Sequence, residues 1–293
     1  MIDDNQNIQY PKVFIIILNY DGKDVLKECL NSVFKIDYPN FEVVLVDNNS
    51  VDGSLEEARL RFPKCHFIKN ENNLGYSMGN NVGIRFALER MADYALLLNN
   101  DTIVTNDALL KLVNIGEAEP DLGIMSPLIC GESGRIWFSG GSIDWMRMKA
   151  VNEQSIPKKG EFFQTDFVSG CAMMVKKKVF QRIGMLDEDF FLYWEDVDFS
   201  VRAKRAGFSI GIVPGSKIFH LEKSEQKKES KTYWLVLSGL LFFQKNTSAY
   251  LRPWIWLFSK IRMAKNKRDL RRGHGSLAGA VSRAYADFKN HAG

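Results

Sequence analysis

Three polar residues, Asn99, Asn100 and Asp101, directly follow the apolar residues 95–98 and form the first candidate site. This pattern predicts a buried strand that ends at a surface, as in parallel sheets covered by helices. Ligands bind at the carboxyl ends of such strands, where Asp101 would lie. A carboxylate beside two amides suits a divalent cation, Mg²⁺ or Mn²⁺, that also holds phosphate oxygens. The alternative is a helix cap, because Asn and Asp cap helices well and Asp107 precedes another helical pattern.

A second candidate site lies in residues 187–198, an unusual mixture of acidic and large apolar residues. Apolar residues at helical spacing predict a helix that begins near Trp194. Acids in the first turn of a helix interact favourably with its dipole, and Asp198 can pair with Arg202 four residues on. Asp196 could have the same structural role, so the residues alone do not assign Asp196 to catalysis.

Two further residues have both a chemical and a structural interpretation. His220 ends a predicted strand and could contact a metal ion or a phosphate, although a lone histidine is more often structural. Gly170 lies in a predicted strand over residues 166–175. It could let the backbone approach a ligand, or it could mark a β-bulge.

The elements that must position these residues alternate between strands and helices. Apolar runs predict strands over residues 13–18, 41–46 and 65–68, with helices between them. Such alternation with short connections indicates βαβ units and a parallel sheet. No Gly-x-Gly-x-x-Gly motif follows the first strand and no Gly-Lys-Ser/Thr phosphate loop is present, which argues against a dehydrogenase or a P-loop enzyme.

Composition points to a globular cytoplasmic protein. The chain has 293 residues, of which 45% are hydrophobic and 25% charged. Its four cysteines are widely spaced and are expected to be reduced core thiols. Residues 1–5 show neither the basic nor the apolar region of a secretory signal. No apolar run reaches the ~18 residues that a membrane span needs.

The net charge of +4 is concentrated near the end of the chain. Residues 259–272 contain seven Lys/Arg and one acid, so the rest of the chain is slightly acidic. Residues 250–258 combine Trp with aliphatic side chains, and this composition beside basic residues is typical of an interfacial segment on an anionic membrane. A helix that packs on the core with a solvated basic end is the alternative. No recognised nucleic-acid module is present, so no nucleic-acid partner is expected.

Several short motifs occur in a fixed order along residues 12–245. They are Asn19-Tyr20, Val46-Asp47-Asn48-x-Ser50-x-Asp52-x-Ser54, Asn73-x-Gly75 with Asn81-x-Gly83, Leu98-Asn99-Asn100-Asp101, Gly170, and Phe190-Phe191-x-Tyr193-x-Glu195-Asp196-x-Asp198. Each motif is weak alone, but together and at this spacing they resemble the family-2 glycosyltransferases of the GT-A fold. Within that family the chain is similar to the rhamnosyltransferase-like branch.

The resemblance implies a role for each motif. Asp47, helped by backbone near Asn19, would accept a hydrogen bond from the base of a nucleotide. Asp101 would bind the metal ion that bridges the diphosphate, with His220 as a second candidate ligand, and Asp196 would be the catalytic base. The other nucleotide-binding residues would be Asn73, Gly75, Asn81, Asn99 and Asn100. Contacts to the sugar or the acceptor would come from Gly170, Tyr193, Trp194 and Glu195.

Two positions depart from the family pattern. The metal motif is Asn-Asn-Asp, so only Asp101 can be an anionic ligand, which suggests weaker metal affinity. Ser238 and Gly239 stand where the family often has an Arg-Asn pair, which leaves the acceptor contacts open.

We therefore predict an α/β GT-A fold, the nucleotide-diphospho-sugar transferase fold, with a mostly parallel sheet flanked by helices. Residues 1–245 would form the glycosyltransferase domain, with a nucleotide-binding half over 12–118 and an acceptor-binding half over 119–245. Residues 246–293 would form an amphipathic, basic helical appendage.

The expected activity is metal-dependent, inverting transfer of a sugar, with rhamnose suggested by the branch, from a dTDP- or UDP-sugar. The acceptor would be a saccharide or lipid-linked saccharide in cell-surface polysaccharide synthesis, at the inner face of the cell membrane. A sugar nucleotidyltransferase is one alternative, but the first strand lacks the glycine-rich basic loop of such enzymes. The other is a non-catalytic nucleotide- or sugar-binding module, against which the presence of both Asp101 and Asp196 argues.

Overall fold

The computed structural model describes residues 10–156, 160–221, 228–271 and 275–291. The first half of the chain forms four strands that pair in parallel, in the order β3-β2-β1-β4. The strands are β1 (Val13–Asn19), β2 (Phe41–Asp47), β3 (His66–Lys69) and β4 (Tyr94–Asn99). They are joined by the helices α1 (Leu26–Val33), α2 (Ser54–Arg61) and α3 (Gly75–Glu89). The apolar runs of β1, β2 and β4 are buried, as expected for strands covered on both faces.

The second half of the chain extends the same sheet beyond β4, in the order β4-β11-β6-β12-β10. Its strands are β5 (Thr102–Val104), β6 (Leu122–Gly131), β7 (Ile136–Phe138), β8 (Gly141–Asp144), β9 (Lys149–Asn152), β10 (Phe163–Gln164), β11 (Ala172–Lys176) and β12 (Ser209–His220). Its helices are α4 (Ala108–Ala118), α5 (Lys177–Ile183) and α6 (Glu195–Arg205). β11 runs antiparallel to both β4 and β6, so this half of the sheet is mixed. β8 and β9 form a separate two-stranded sheet.

The predicted α/β architecture is confirmed, with local differences at two strands. The strand predicted over residues 166–175 begins only at Ala172, because the backbone before it bonds to other segments, including Gly170 N–H to the Asp196 carboxylate. The strand predicted to end at His220 is β12, which has a register shift between Val213 and Lys217. Pro214 lies at that shift, where its missing N–H is tolerated.

Three helices complete the described chain. They are α7 (Lys228–Asn246), α8 (Arg252–Arg271) and α9 (Gly275–His291), with a 3-10 turn at Ala249–Leu251 before α8. α7 packs its buried face against the main body and against α9, while α8 packs on α9. None of the helices in the described ranges is long and apolar enough to cross a membrane. Arg272, the last residue of the predicted basic run, lies outside the described residues.

Candidate active site

A cleft of about 890 Å³ lies between the carboxyl end of β4 and the start of α6. It contains eight of the residues that the sequence singled out: Asn99, Asp101, Gly170, Tyr193, Trp194, Glu195, Asp196 and His220. These residues come from four separate parts of the chain. The sheet order and the position of α6 bring them together.

Asp101 and His220 meet because β5 pairs antiparallel with the end of β12, which places His220 opposite Thr102. The Asp101 Oδ2 atom lies 3.2 Å from His220 Nε2, and the Leu221 N–H donates to the Asp101 carbonyl at 2.9 Å. The two side chains are 6% and 10% exposed. Asp101 thus lies in the turn between β4 and β5, away from any helix start, so the helix-cap alternative is wrong.

The atoms of this pair fit a cation site. Asp101 Oδ1 and His220 Nδ1 are buried and have no hydrogen-bond partner among the described residues. A buried polar atom without a partner is costly, so such atoms indicate a missing ligand. Carboxylate oxygen and imidazole nitrogen together suit a cation such as Mn²⁺. Within the described ranges no cluster of three or more His, Cys, Asp or Glu side chains could hold a metal, so further ligands would have to come from substrate and water.

Asp196 is fixed at the first turn of α6 by two backbone donors. Its Oδ2 atom accepts the Gly170 N–H and its Oδ1 atom accepts the Val197 N–H, both at 2.8 Å. Burial raises the pKa of this carboxyl above its usual value. Gly170 cannot carry a side chain here, because an added Cβ would lie 2.8 Å from the Tyr76 hydroxyl. The structure therefore assigns Gly170 a contact to Asp196 through its backbone.

The turn before α6 has an uncommon backbone conformation. Tyr193 and Trp194 have φ angles of +65° and +71°, in the left-handed region that non-glycine residues rarely occupy. α7 holds this turn in place. Trp194 donates its indole N–H to the Leu235 carbonyl at 3.1 Å and stacks on Phe242 at 5.0 Å between ring centroids.

Ser238 and Gly239 support the same turn. The Ser238 hydroxyl donates to the Leu192 carbonyl at 2.8 Å. A Cβ on Gly239 would lie 3.1 Å from the Trp194 indole nitrogen, so glycine leaves room for that ring. Ser238 and Gly239 therefore help to position the residues before Asp196.

Glu195 is 5% exposed and lines the cleft beside Asp196. Its Oε2 atom has no hydrogen-bond partner in the described part of the chain. Burial raises the pKa of Glu195 well above its usual value, and the charge of the neighbouring Asp196 raises it further. Glu195 therefore keeps its proton at a pH where an exposed glutamate has lost it.

We expect Glu195→Gln to raise the free energy of unfolding at pH 8 and to have little effect near pH 4.5, the usual glutamate pKa. Above that pH the unfolded chain has released the proton that the folded chain still holds. The contribution of Glu195 to the free energy of unfolding of the wild type therefore falls by about 1 kcal/mol per pH unit, until Glu195 ionises in the folded state. Urea unfolding at several pH values measures the difference. The exposed Glu71→Gln serves as the control, and a variant less stable than the wild type at every pH would contradict a protonated Glu195.

Asn19 and Asp47, predicted to bind the nucleotide, form a buried network at the ends of β1 and β2. Asn19 Nδ2 donates to Asp47 Oδ1 at 2.9 Å, and the N–H and hydroxyl of Ser50 donate to the same carboxylate at 2.9 and 2.6 Å. Asn100 Nδ2 donates to Asn19 Oδ1 at 3.0 Å, which ties this network to the turn that carries Asp101. Asp47 thus shapes the loop after β2, and its direct contact to a nucleotide base stays a prediction.

Gly75 and Asn81 of α3 lie against the chain that leads into α6, and Asn73 bonds to the first residue of α3. Asn73 Oδ1 accepts the Gly75 N–H at 2.9 Å. Gly75 has a φ of +75°, and a Cβ there would lie 2.4 Å from the Phe191 carbonyl oxygen. Asn81 exchanges two hydrogen bonds with the Leu186 backbone, at 2.9 and 3.1 Å. The structure gives these residues positioning contacts, and their contact to a nucleotide stays a prediction.

Tyr76 is a site residue that sequence reasoning missed. Its N–H donates to the Phe191 carbonyl at 2.6 Å and its hydroxyl donates to the Gly170 carbonyl at 2.5 Å. It therefore connects both backbone segments that flank Asp196, and it lines the cleft. The sequence feature that could have indicated Tyr76 is its position directly after the Asn73-x-Gly75 motif.

Asp198 has a structural role, as the sequence suggested. Its side chain is 2% exposed and accepts Arg202 Nε and Asn246 Nδ2, both at 2.7 Å. The predicted pairing with Arg202 is confirmed. Asp198 is absent from the cleft wall and joins α6 to the end of α7.

Comparison with known sequences agrees with this geometry. The family model described as "Glycosyl transferase family 2" matches residues 13–184. The "Low-salt glycan biosynthesis hexosyltransferase Agl10" of Haloferax volcanii is 28% identical over 76% of this chain and 71% of its own length. The "dTDP-rhamnosyl transferase RfbF" of Shigella flexneri is 23% identical over 80% of each chain. The "N-acetylglucosaminyl-diphospho-decaprenol L-rhamnosyltransferase" of Mycobacterium tuberculosis is 25% identical over 70% of this chain and 75% of its own length.

Solved structures share the fold at lower identity. GalNAc-T7, solved with UDP, GalNAc and Mn²⁺, has a TM-score of 0.67 and 19% identity over 83% of this chain. The match covers 48% of that longer protein. The mannosyltransferase PcManGT of Pyrobaculum calidifontis, solved with GDP-Man and Mn²⁺, has a TM-score of 0.61 and 17% identity over 97% of this chain and 80% of its own. These likenesses confirm the predicted GT-A fold.

Proposed function

The chain belongs to glycosyl transferase family 2, and from that premise we propose a metal-dependent, inverting transfer of a sugar onto a lipid-linked saccharide in polysaccharide synthesis. One observation carries the proposal. The Asp101–His220 pair, with its unpartnered buried atoms, shares a cleft with Asp196, which comes from a separate element. A glycosyltransferase needs these two functions at one place, since the leaving diphosphate must be stabilised while the acceptor hydroxyl loses its proton.

Asp196 is the base in this proposal. An acceptor hydroxyl attacks the anomeric carbon as the bond from that carbon to the diphosphate oxygen breaks, and the hydroxyl proton passes to the Asp196 carboxylate. A single displacement of this kind inverts the anomeric configuration. The Gly170 and Val197 N–H groups hold both carboxylate oxygens, so the base is oriented before substrate arrives.

Asp101 and His220 would hold the divalent cation. When bound, Mg²⁺ or Mn²⁺ supplies Lewis-acid stabilisation of the diphosphate, so no acid residue needs to protonate the leaving group. Because the Asn-Asn-Asp motif has a single carboxylate, further ligands of a bound cation would come from the diphosphate and from water. The Mn²⁺ with which GalNAc-T7 and PcManGT were solved supports this assignment.

The donor is proposed to be a dTDP- or UDP-sugar, with dTDP-rhamnose the first choice. The names of the Shigella and Mycobacterium relatives, which are rhamnosyltransferases, support rhamnose. The decaprenol in the second name supports an acceptor carried by a lipid. The loop that Asp47 and Ser50 shape after β2 is where the nucleotide base would be read.

The proposed function is tested first by nucleotide binding. We expect dTDP or UDP to raise the melting temperature, and to raise it further with Mn²⁺ or Mg²⁺, because ligand and cation each complete the other's coordination. Stabilisation by a ligand follows RT ln(1 + [L]/Kd). A thermal-shift screen of nucleoside diphosphates, with and without EDTA, measures both effects. If EDTA changes neither the nucleotide-induced shift nor sugar transfer, the protein does not depend on a cation.

Attachment to a membrane surface is also proposed, at the outer face of α8. This face exposes Trp256, Leu257 and Ile261 at 64%, 45% and 52% of their surface. The same helix carries seven basic residues, namely Arg252, Lys260, Arg262, Lys265, Lys267, Arg268 and Arg271. Apolar and aromatic side chains beside cations are typical of helices that lie in the interface of an anionic leaflet.

We expect the protein to sediment with vesicles that contain anionic lipid and to remain in solution with neutral ones. Each basic residue near such a surface contributes about 1 kcal/mol. Added salt should weaken the binding because the attraction is screened. Equal binding to both kinds of vesicle, or binding to neither, would contradict the proposal.

A further inference from the structure

Two more cavities adjoin the cleft on the side of the C-terminal helices. A cavity of about 310 Å³, the connecting cavity, shares Ala150, Trp194 and Leu235 with the wall of the cleft. A larger space of about 780 Å³, the C-terminal groove, lies among α7, α8 and α9. It shares Met148, Leu240, Phe243 and Tyr285 with the connecting cavity. The three spaces therefore lie in a row, each next to the following one, from Asp196 to the helix that carries the exposed aromatic and basic residues.

The chemistry of the path changes along its length. The cleft wall is polar and acidic at Asp101, Glu195 and Asp196. The connecting cavity has two cationic residues in its wall, Lys149 and Arg262. The C-terminal groove is mostly apolar, with Ile255, Met263 and Phe288 among its lining residues, and its cations are Arg252, Lys260, Lys267 and Lys289. Among the described residues that line these two cavities there is no Asp or Glu.

This sequence of environments matches an amphiphile with three parts in the same order. A saccharide would occupy the polar cleft, an anionic diphosphate would pair with Lys149 and Arg262, and an apolar chain would lie in the groove. The volume of the groove is within the range of ligand pockets, about 300–1,000 Å³. The two cations of the connecting cavity, Lys149 and Arg262, have no Asp or Glu beside them in its wall, and this charge is complementary to that of a diphosphate.

We propose that the connecting cavity binds the diphosphate, and the C-terminal groove the isoprenoid chain, of the lipid-linked acceptor. The inference rests on the proposed function and names the acceptor's class and its path. Trp256 both lines the groove and is exposed on α8, so the groove opens at the face proposed to lie on the membrane. The far end of a long isoprenoid chain can therefore stay in the bilayer while its sugar reaches Asp196.

The test uses the full chain and short soluble isoprenoid diphosphates as probes. Titration calorimetry in EDTA, which keeps the diphosphate from using a cation at Asp101, compares isopentenyl, geranyl and farnesyl diphosphate. We expect affinity to rise at least about tenfold from the five-carbon to the fifteen-carbon probe, because each added unit buries apolar surface. Equal affinity for all three would overturn the groove assignment.

Matched variants on α8 separate this site from general attraction to a basic surface. Arg262→Ala removes a cation of the connecting cavity, whereas Arg268→Ala removes one from the same helix that lines neither cavity. We expect the first to weaken farnesyl diphosphate about tenfold, as for a lost charged hydrogen bond, and the second to leave it unchanged. Ala264→Trp, which narrows the groove, should weaken the farnesyl probe and spare the isopentenyl one. Equal losses in Arg262→Ala and Arg268→Ala would overturn the proposal.

Failure of this inference can be told apart from failure of the proposed function. Melting shifts with dTDP or UDP and Mn²⁺ report the donor site alone. If those shifts are present and farnesyl diphosphate still binds no better than isopentenyl diphosphate, the groove assignment is wrong and the donor side of the proposed function stands.

Discussion

Replacing Asp196 by asparagine should lower turnover by a factor of about 10² to 10⁴, the usual contribution of a general base. The amide cannot take the proton of the acceptor hydroxyl, although its remaining oxygen can still accept the Gly170 N–H. Nucleotide affinity and the cation-dependent melting shift should survive, because Asp47 ends β2 and Asp101 lies in the turn between β4 and β5, whereas Asp196 lies on α6. Steady-state rates and thermal shifts on the same preparation measure both effects.

The matched control is Asp189→Asn, which removes an exposed carboxylate from the same chain segment. Asp189 pairs only with the surface Lys245 in the described structure and does not line the cleft. Asp198→Asn, which the sequence alone would suggest, is a poor control. It would disturb the buried contacts to Arg202 and Asn246 and lower stability. Near-normal turnover in Asp196→Asn would contradict the catalytic role and would mean that Asp196 has a structural role at the start of α6.

Asp101→Asn should have the second-largest effect. The amide keeps the size of the side chain but removes the only anionic ligand of the motif. We expect transfer to fall about 10²- to 10³-fold, which corresponds to several kcal/mol of charge stabilisation in the transition state. The additional melting shift that Mn²⁺ gives in the presence of nucleotide should disappear. Rates over a range of Mn²⁺ concentrations, together with thermal shifts, check the prediction.

Asp107→Asn is the control for this second variant. Asp107 is exposed, pairs with Lys111 and precedes α4 a few residues after Asp101. The Asp107→Asn variant should therefore keep the transfer rate of the wild type and its response to Mn²⁺. An unchanged Mn²⁺ response in Asp101→Asn would mean that the cation binds elsewhere or is not needed.

Local patterns in the sequence were enough to predict the first half of the fold, whereas the role proposed for Asp196 came from the resemblance to the family. The residues of β4 are continuously apolar up to Asn99. This is the sequence pattern of a strand that is buried on both faces of the sheet. The start of α6 at Glu195 followed from helical spacing alone. The proximity of Asp101 to His220 could not be predicted from local sequence patterns, because it depends on the pairing of β5 with β12.

Long-range contacts account for what the sequence did not predict. Trp194 was expected to face a sugar, but its ring also stacks on Phe242 and its N–H bonds to α7. Asn81 was expected at a nucleotide and contacts the Leu186 backbone, 105 residues away. An asparagine that joins two segments and one that binds a ligand have the same sequence pattern. Only the position of the partner distinguishes them.

The dependence of the Tyr193–Trp194 turn on α7 sets how far a fragment must extend to hold the proposed base in place. Left-handed residues cost about 1–3 kcal/mol each and persist only where surrounding contacts hold them. The match to the family model ends at residue 184, before Asp196, His220 and every residue of α7. A fragment cut at that boundary would keep Asp47 and Asp101 and lose Asp196, the proposed base. A fragment that keeps the proposed site with its support must therefore extend at least through Asn246, whose side chain joins Asp198 to Arg205.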